Sequence, residues 1–490
     1  MNQYDKLFIG GEWVAPSAGG TFDNMDPWKR EPWNAVADAS IDDAEAALDA
    51  AAAAQPAWAG VSASDRAALL GRVVDQIDAR RDDIAQIMVT ETGSAPFKAN
   101  GETFAAQGHI RAAAEAATTI FDEVLPSNVG KTNTIVRRPV GVVSVISPWN
   151  VPLALSLRSV AHAIAYGNTV VLKPSEESPV SGGLIIAELF EAAGAPAGVL
   201  NVITCSRENV EAIGERMISH PAVGAMSFTG SEKVGRHLGA LAGHHLKKVD
   251  LELGGSDALI VLADADLDDA LDAALFGAFH HAGQICMATK RIIVEEAVAD
   301  EFVSRLVDAT GALSYGNPTE EGIAMGPVIN DDQLAKLQEA VDDARAKGAT
   351  VLVGGSAEGP CFQPTLLTGV TSDMIAGQTE LFGPVRIVET AADADAALAL
   401  ANDSPYGLSG SIWSKDEARA QELAARFDAG MVHINAGNIQ AEPHVPFGGV
   451  KASGLGRHGG EGSIESFTET IWRSVAPEAP PVHPLFRAAR

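Results

Sequence analysis

The chain has 490 residues, enough for two or three domains with large cores. Its 64 acidic residues against 35 basic ones leave a formal net charge of −29, which argues against a nucleic-acid backbone or an anionic membrane as partner. The acids are dispersed, as in IDDAEAALDA and ADADLDDALDA, and read as solvated helix faces on a chain that is 46% hydrophobic and 20% charged, an ordinary globular composition.

MNQYDKLFIGGEW carries one basic residue and no apolar segment of signal-peptide type. A strand is expected over 7–14. Ser40 and Asp43 form a capping box that opens an Ala-rich helix, and a second helical pattern runs over 65–91 until Gly93. From residue 132 strand and helix alternate, with strands at 142–146, 169–172, 200–204 and 225–228 and helices at 153–165, 180–193 and 209–219. The most apolar stretch, 151–172, contains Arg158 and breaks at Gly167-Asn168, so it reads as a helix followed by a buried strand rather than a membrane span. A second α/β segment begins near Lys247, with strands at 249–253, 258–262, 291–295, 410–413 and 431–435 and helices including 331–347 and 415–427. Residues 121–138 and the tail after Ile464 fall outside the alternation and read as an arm. Short β-rich runs joined by helical crossovers predict parallel, doubly wound sheets. The three cysteines, Cys205, Cys286 and Cys361, are odd in number and far apart, so no disulfide framework is expected and a cytoplasmic location is.

There is no Walker A sequence and no G-x-G-x-x-G fingerprint. SFTGSEKVG places Gly230 and Ser231 at a strand end before a helix, which suits close approach of an anion and equally an ordinary capped helix start. In TVVLKPSEESP, Lys173 and Glu176 stand at the carboxyl end of a buried strand. There they would hold ribose hydroxyls while the carboxylate repels a 2′-phosphate, or form a surface ion pair. Asn150 in ISPWNVP is either an oxyanion donor or a helix N-cap. Glu252 in VDLELGG lies on the strand face opposite Leu251 and Leu253, as a general base or as part of a solvated face.

A helical run over 266–282 stops at Gly283, and Cys286 follows in HHAGQICMATK. It is either a small buried hydrophobe or a nucleophile, and its own surroundings leave both open. His280 and His281 read as the last helical residues, and no metal site is expected. Cys205 and Cys361 read as structural. ELFGPV pairs Glu380 with Phe382, able to grip a ribose and a flat ring or to anchor a loop, and PFGGVKASGLGRHGG is a glycine-dense loop.

ISPWN, VVLKPSE, FTGS, LELGG, GQIC, ELFGPV and PFGGVKASGLGR, in this order and spacing, resemble the NAD(P)-dependent aldehyde dehydrogenase superfamily. The likeness runs from Phe8-Ile9-Gly10-Gly11 to the C-terminal region. It implies a catalytic thiol at Cys286, an oxyanion hole at Asn150 with the Cys286 N–H, and a general base at Glu252. Cofactor contacts would come from Ile146, Trp149, Lys173, Ser175, Glu176, Gly230, Ser231, Gly254, Glu380 and Phe382. The cofactor would be NAD, with NADP possible.

The implied architecture is α/β, aldehyde dehydrogenase-like: a cofactor domain (1–120 and 140–248), a catalytic domain (249–450) and an oligomerisation arm and tail (121–139 and 464–490). The arm would pair with a strand near 468–475 in a homodimer or homotetramer. Two motifs depart from the family pattern, with Cys205-Ser206-Arg207 in place of a glycine turn and His458 in place of an acid. GQICMATKRIIV and HINAGNIQAEPHVPFGGVKASG are most similar to the aromatic-aldehyde branch (salicylaldehyde, vanillin and benzaldehyde dehydrogenases), with Val151, Arg158, Met287 and Phe447 expected near the substrate. The alternatives are aliphatic or semialdehyde oxidation, a thioester resolved by a thiol rather than water, and a cofactor-independent thiol esterase.

Overall fold

The computed structural model describes residues 4–120, 122–478 and 484–486, so Phe121 of the expected arm and positions 479–483 and 487–490 of the tail lie outside the described residues. The strand expected over 7–14 is a hairpin of two, Leu7–Ile9 and Glu12–Val14. Gly10 and Gly11 turn it with φ of 63° and 84°, a conformation in which a Cβ is disfavoured. Ser40 caps the Ile41–Ala59 helix through the expected box, the Ser40 N–H donating to Asp43 at 2.8 Å. The helical pattern over 65–91 is two helices, Ala63–Ala79 and Arg81–Thr92, the second ended by left-handed Gly93. A further helix, Pro96–Thr119, follows and packs along the Pro152–Ala165 helix.

The first sheet has eight strands. Its centre is parallel, in the order Leu200–Val202, Thr169–Lys173, Val142–Ile146, Val223–Thr229 and Lys248–Glu252. Along the middle strand Val143 and Val145 enter one core, while Val142 and Ile146 enter the core on the opposite face. Helices cover both faces, which is why these strands read as unbroken apolar runs. The Lys248–Glu252 strand corrects the expected boundary: it pairs in parallel with Val223–Thr229 and belongs to the first sheet, not to the second segment. The sheet changes only after it, through Gly254-Gly255. Gly454–Leu455 returns from the glycine-dense loop to pair antiparallel beside it.

The second sheet has seven strands in the order Thr350–Val353, Thr365–Thr368, Val385–Ala391, Thr289–Glu295, Asp257–Val261, Ser409–Trp413 and Met431–Ile434, parallel except at the first. Three of these, Thr350–Val353, Thr365–Thr368 and Val385–Ala391, have no counterpart among the expected strands. Here too alternate residues serve opposite cores, Leu259 and Val261 on one side and Ala258 and Ile260 on the other. The arm is a three-stranded antiparallel sheet of Glu123–Leu125, Thr132–Pro139 and Thr468–Val475, with Thr468 opposite Pro139 and Val475 opposite Thr132. No helix among the described residues is long and apolar enough to cross a membrane.

Candidate active site

Strand order reverses in the first sheet between Val142–Ile146 and Val223–Thr229, and connections from that point leave to opposite sides. A cleft of about 580 Å³ opens at the carboxyl ends of these strands, where ligands bind in doubly wound sheets. Its far wall is built from the second sheet's loops and the Asp331–Ala346 helix. All thirteen residues expected to be catalytic or to touch the cofactor line this one cleft, although they are spread from Ile146 to Phe382.

At its outer part Gly230 and Ser231 lead into the Glu232–His244 helix, whose N-cap makes no side-chain hydrogen bond. A Cβ at Gly230 would sit 2.6 Å from the Phe228 ring, so the turn requires glycine. Lys173 is buried at the end of its strand and donates to the Pro174 carbonyl at 2.9 Å, and the Ser175 hydroxyl donates to Glu176 at 3.3 Å. Trp149 meets Phe382 edge to face at 5.5 Å. The donor set matches a dinucleotide: lysine and carboxylate for a ribose, an open helix N-terminus for a pyrophosphate, aromatic edges for a flat ring. Glu380, however, is turned inward, where it accepts from the Gly255 N–H and pairs with Lys290, each at 3.1 Å. Ser206 and Arg207 of the 205–207 departure line a second depression of about 430 Å³, shared with Glu176 and Glu177.

Cys286 lies at the cleft floor, partly exposed. The helix before it ends at Phe279, three residues short of the expected 282. The chain then turns through His281, Ala282 and Gly283 with φ of 52°, 53° and 66°. Lys290 donates to the carbonyl of Cys286 itself and to that of Ile285 at 3.0 Å, fixing the loop from below. Burial raises the thiol pKa well above its usual 9.0, and the charge and hydrogen bonding of Glu252 raise it further. Glu252 is buried, not solvated: its Oε2 accepts from Arg158 at 3.2 Å, and Oε1 has no well-aligned donor among the described residues. Asn150 is no cap by side chain, since the Pro152–Ala165 helix has none. Its amide donates to the Gln284 carbonyl at 2.9 Å, leaving one N–H for the cleft.

The residues expected near the substrate are less uniform. Arg158 is 2% exposed and does not line the cleft. It is held between Glu252 and the Phe447 ring, 4.8 Å away. Phe447 is buried with it, and Val151 and Met287 are half-buried outside the cleft lining. His458 is buried 3.4 Å from Asp250. Burial and the neighbouring Arg158, His162 and His109 push its pKa well below 6.5, so it is neutral where the family pattern has an acid. Cys205 and Cys361 are buried, with thiol pKa values raised by burial. Burial likewise lowers the pKa values of His280 and His281. Among the described residues, two groups of carboxylates and a histidine, Glu45, Asp49 with His220 and Glu211, Glu215 with His237, lie on outer helices and line no part of the cleft.

Several contributors had no signal in any one motif. Lys290 shows only as one of two adjacent cations, Lys290-Arg291, shortly past the thiol. Gln333, Lys336, Leu337 and Ala340 form one helix face toward the cleft, and Gln333 donates to the Phe382 carbonyl at 2.9 Å. Their spacing is an amphipathic signal that any surface helix would share.

A crevice at a sheet's switch point that ends on a thiol and carries a dinucleotide-type donor set marks the fold of a nucleotide-dependent enzyme. The aldehyde dehydrogenase family model matches residues 13–472, and the chain belongs to that family, whose members carry out NAD(P)-dependent oxidation of aldehydes. It is 44% identical over 473 residues to a vanillin dehydrogenase from Corynebacterium glutamicum, covering 96% of this chain and 97% of that one. Among solved structures it superposes on a salicylaldehyde dehydrogenase from Pseudomonas putida G7 complexed with salicylaldehyde, with TM-score 0.95, 37% identity and coverage of 98% and 99%. It also superposes on a betaine aldehyde dehydrogenase from Staphylococcus aureus in complex with NAD+, with TM-score 0.95, 32% identity and coverage of 99% and 97%.

Proposed function

We propose that the protein oxidises an aromatic aldehyde to its carboxylic acid with NAD, through a thiohemiacetal and a thioester on Cys286. The observation that carries this reading is the single cleft in which a thiol, a buried carboxylate and a fixed amide meet the dinucleotide-type donor set. Cys286 Sγ adds to the aldehyde carbon while Glu252, already at the thiol, takes its proton. The new alkoxide is met by the free Asn150 N–H and the Cys286 backbone N–H. Both are set before reaction, Asn150 by Gln284 and the Cys286 loop by Lys290. When bound, the nicotinamide supplies the hydride acceptor that turns this adduct into the thioester. Glu252 gives up the thiol proton to solvent and then deprotonates a water, which adds to the thioester carbon. The C–S bond breaks and the proton returns to the thiol.

Lys173 and Glu176 would hold the adenosine ribose, with Ser175 orienting Glu176. Gly230 and Ser231 would face the pyrophosphate, and Ile146, Trp149 and Gly254 would border the cofactor. Phe382 would pack beside the ring, and Glu380 would hold the second ribose if it left Lys290. The Glu176 carboxylate favours NAD over NADP, because a 2′-phosphate would bring like charge beside it. The aromatic substrate is supported by the likeness to vanillin and salicylaldehyde dehydrogenases. We further assign the protein to the cytoplasm and to a homodimer or homotetramer built through the arm.

The test is NADH formation, by kcat/KM, with benzaldehyde-type, short aliphatic and semialdehyde substrates and either NAD or NADP. Preference for benzaldehydes with NAD supports the reading. Faster turnover of propanal or succinate semialdehyde refutes the aromatic assignment, and ester turnover that ignores NAD with no NADH from any aldehyde refutes the oxidation. Cys286→Ala abolishes NADH formation. Glu252→Gln slows attack by the thiol, whose proton acceptor is gone, but still gives one burst of NADH per active site and then stalls, since water is not activated.

A further inference from the structure

Asn150 is gripped from two sides, and only one grip belongs to the cleft. Its side chain is tied to the Gln284 carbonyl, while its backbone carbonyl accepts from Lys98 Nζ at 2.7 Å. Lys98 comes from the Pro96–Thr119 helix, is 5% exposed, and pairs with Glu102 one turn on at 2.6 Å. The other oxygen of Glu102 accepts the N–H groups of Leu153 and Ala154 at 2.8 and 3.3 Å. These are the first free donors of the Pro152–Ala165 helix, because Pro152 has none and its N-cap, Val151, offers no side-chain acceptor.

A buried ion pair is an expensive way to cap a helix, and a Ser or Asp at position 151 would serve at less desolvation cost. What the pair does that a local cap would not is join two points of the same loop. Lys98 fixes the carbonyl of Asn150, and Glu102 fixes the start of the helix two residues later. The Asn150 peptide is thereby held between a rigid helix and the loop that carries Cys286. Resting on the oxyanion role proposed above, we propose that Lys98 and Glu102 are positioning residues for the Asn150 amide, acting through the backbone and not on the substrate.

The test is a double-mutant cycle with NAD and benzaldehyde, or propanal where the substrate panel makes that faster. Lys98→Met is expected to lower kcat roughly 10²-fold, the scale of a misplaced donor, with KM for NAD unchanged. In an Asn150→Ala background the same substitution is expected to cost nothing more, because the group it positions is gone. A merely structural role predicts equal, additive losses in both backgrounds, and that result overturns the inference, as does full kcat in Lys98→Met. If Lys98→Met does not fold, Lys98→Met with Glu102→Leu removes both charges, leaves none buried alone and is judged by the same cycle. Asn150→Ala alone separates the two claims. If it retains the parent kcat, the oxyanion reading falls and this inference with it. If it is impaired while the Lys98 variants are not, only this inference falls.

Discussion

The thiol of Cys286 rests in its protonated form, because both its burial and the Glu252 carboxylate oppose a second negative charge at the cleft floor. Alkylation by iodoacetamide follows the thiolate, so in the free enzyme its rate at Cys286 should climb only as pH passes above 9. Glu252→Gln removes the opposing charge, so the midpoint should move to lower pH. Peptide mass spectrometry across a pH series reads both, with the buried Cys205 and Cys361 as internal controls. Behind Glu252, Arg158 is its sole cationic partner at hydrogen-bond distance among the described residues. Arg158→Met leaves that carboxylate buried and unpaired, so it should cost about 3–5 kcal/mol and lower the melting temperature. Arg158→Met with Glu252→Gln should recover most of the loss. Little in the sequence around Arg158 pointed to this pairing, because the partners are 94 positions apart and only the Val223–Thr229 and Lys248–Glu252 pairing brings Glu252 beneath the helix that carries Arg158.

At the scale of elements, the loop that presents Cys286 depends on Gly283. Its φ of +66° already favours glycine, and a Cβ there would lie 1.7 Å from Nη2 of the fully buried Arg386. Arg386 ties the Ala278, Gly283, Leu381 and Val385 carbonyls together and so joins the thiol loop to the ELFGPV loop. Gly283→Ala should destabilise by about 1–3 kcal/mol and lower kcat, measured by thermal melting and NADH formation, because it strains the turn and displaces that arginine. The helix ending at Gly93 and the capping box at Ser40 were legible because both are local hydrogen-bond patterns. The early end of the helix at Phe279 was not. The apolar period continues to Ala282, while Arg386, more than a hundred residues on, accompanies a different path for the backbone.

For the whole molecule, the arm sheet leaves Val124, Trp472 and Val475 exposed, apolar residues on two outer strands that invite cover by a second chain. A chain ending at Thr468 keeps the buried Phe467, whose carbonyl accepts from Asn168, and removes most of that outer strand. It should run as a smaller species in light scattering; an unchanged assembly would place the interface elsewhere. The boundary between the two main sheets was misread by one strand because Lys248–Glu252 looks the same from either side. Strand membership is set by pairing partners, which no local pattern encodes.

By itself the sequence determined the alternation of helices with parallel strands, through apolar runs at the right lengths and spacings, and which residues gather at the cleft, through seven ordered motifs. Only the tertiary structure decided what state those residues rest in. It set the protonated thiol, the inward-turned Glu380, the Arg158 beneath Glu252 and the Lys98–Glu102 grip on Asn150. Each of these is an electrostatic relation between residues distant in the chain. Its strength depends on distance and on exclusion of water, and folding supplies both.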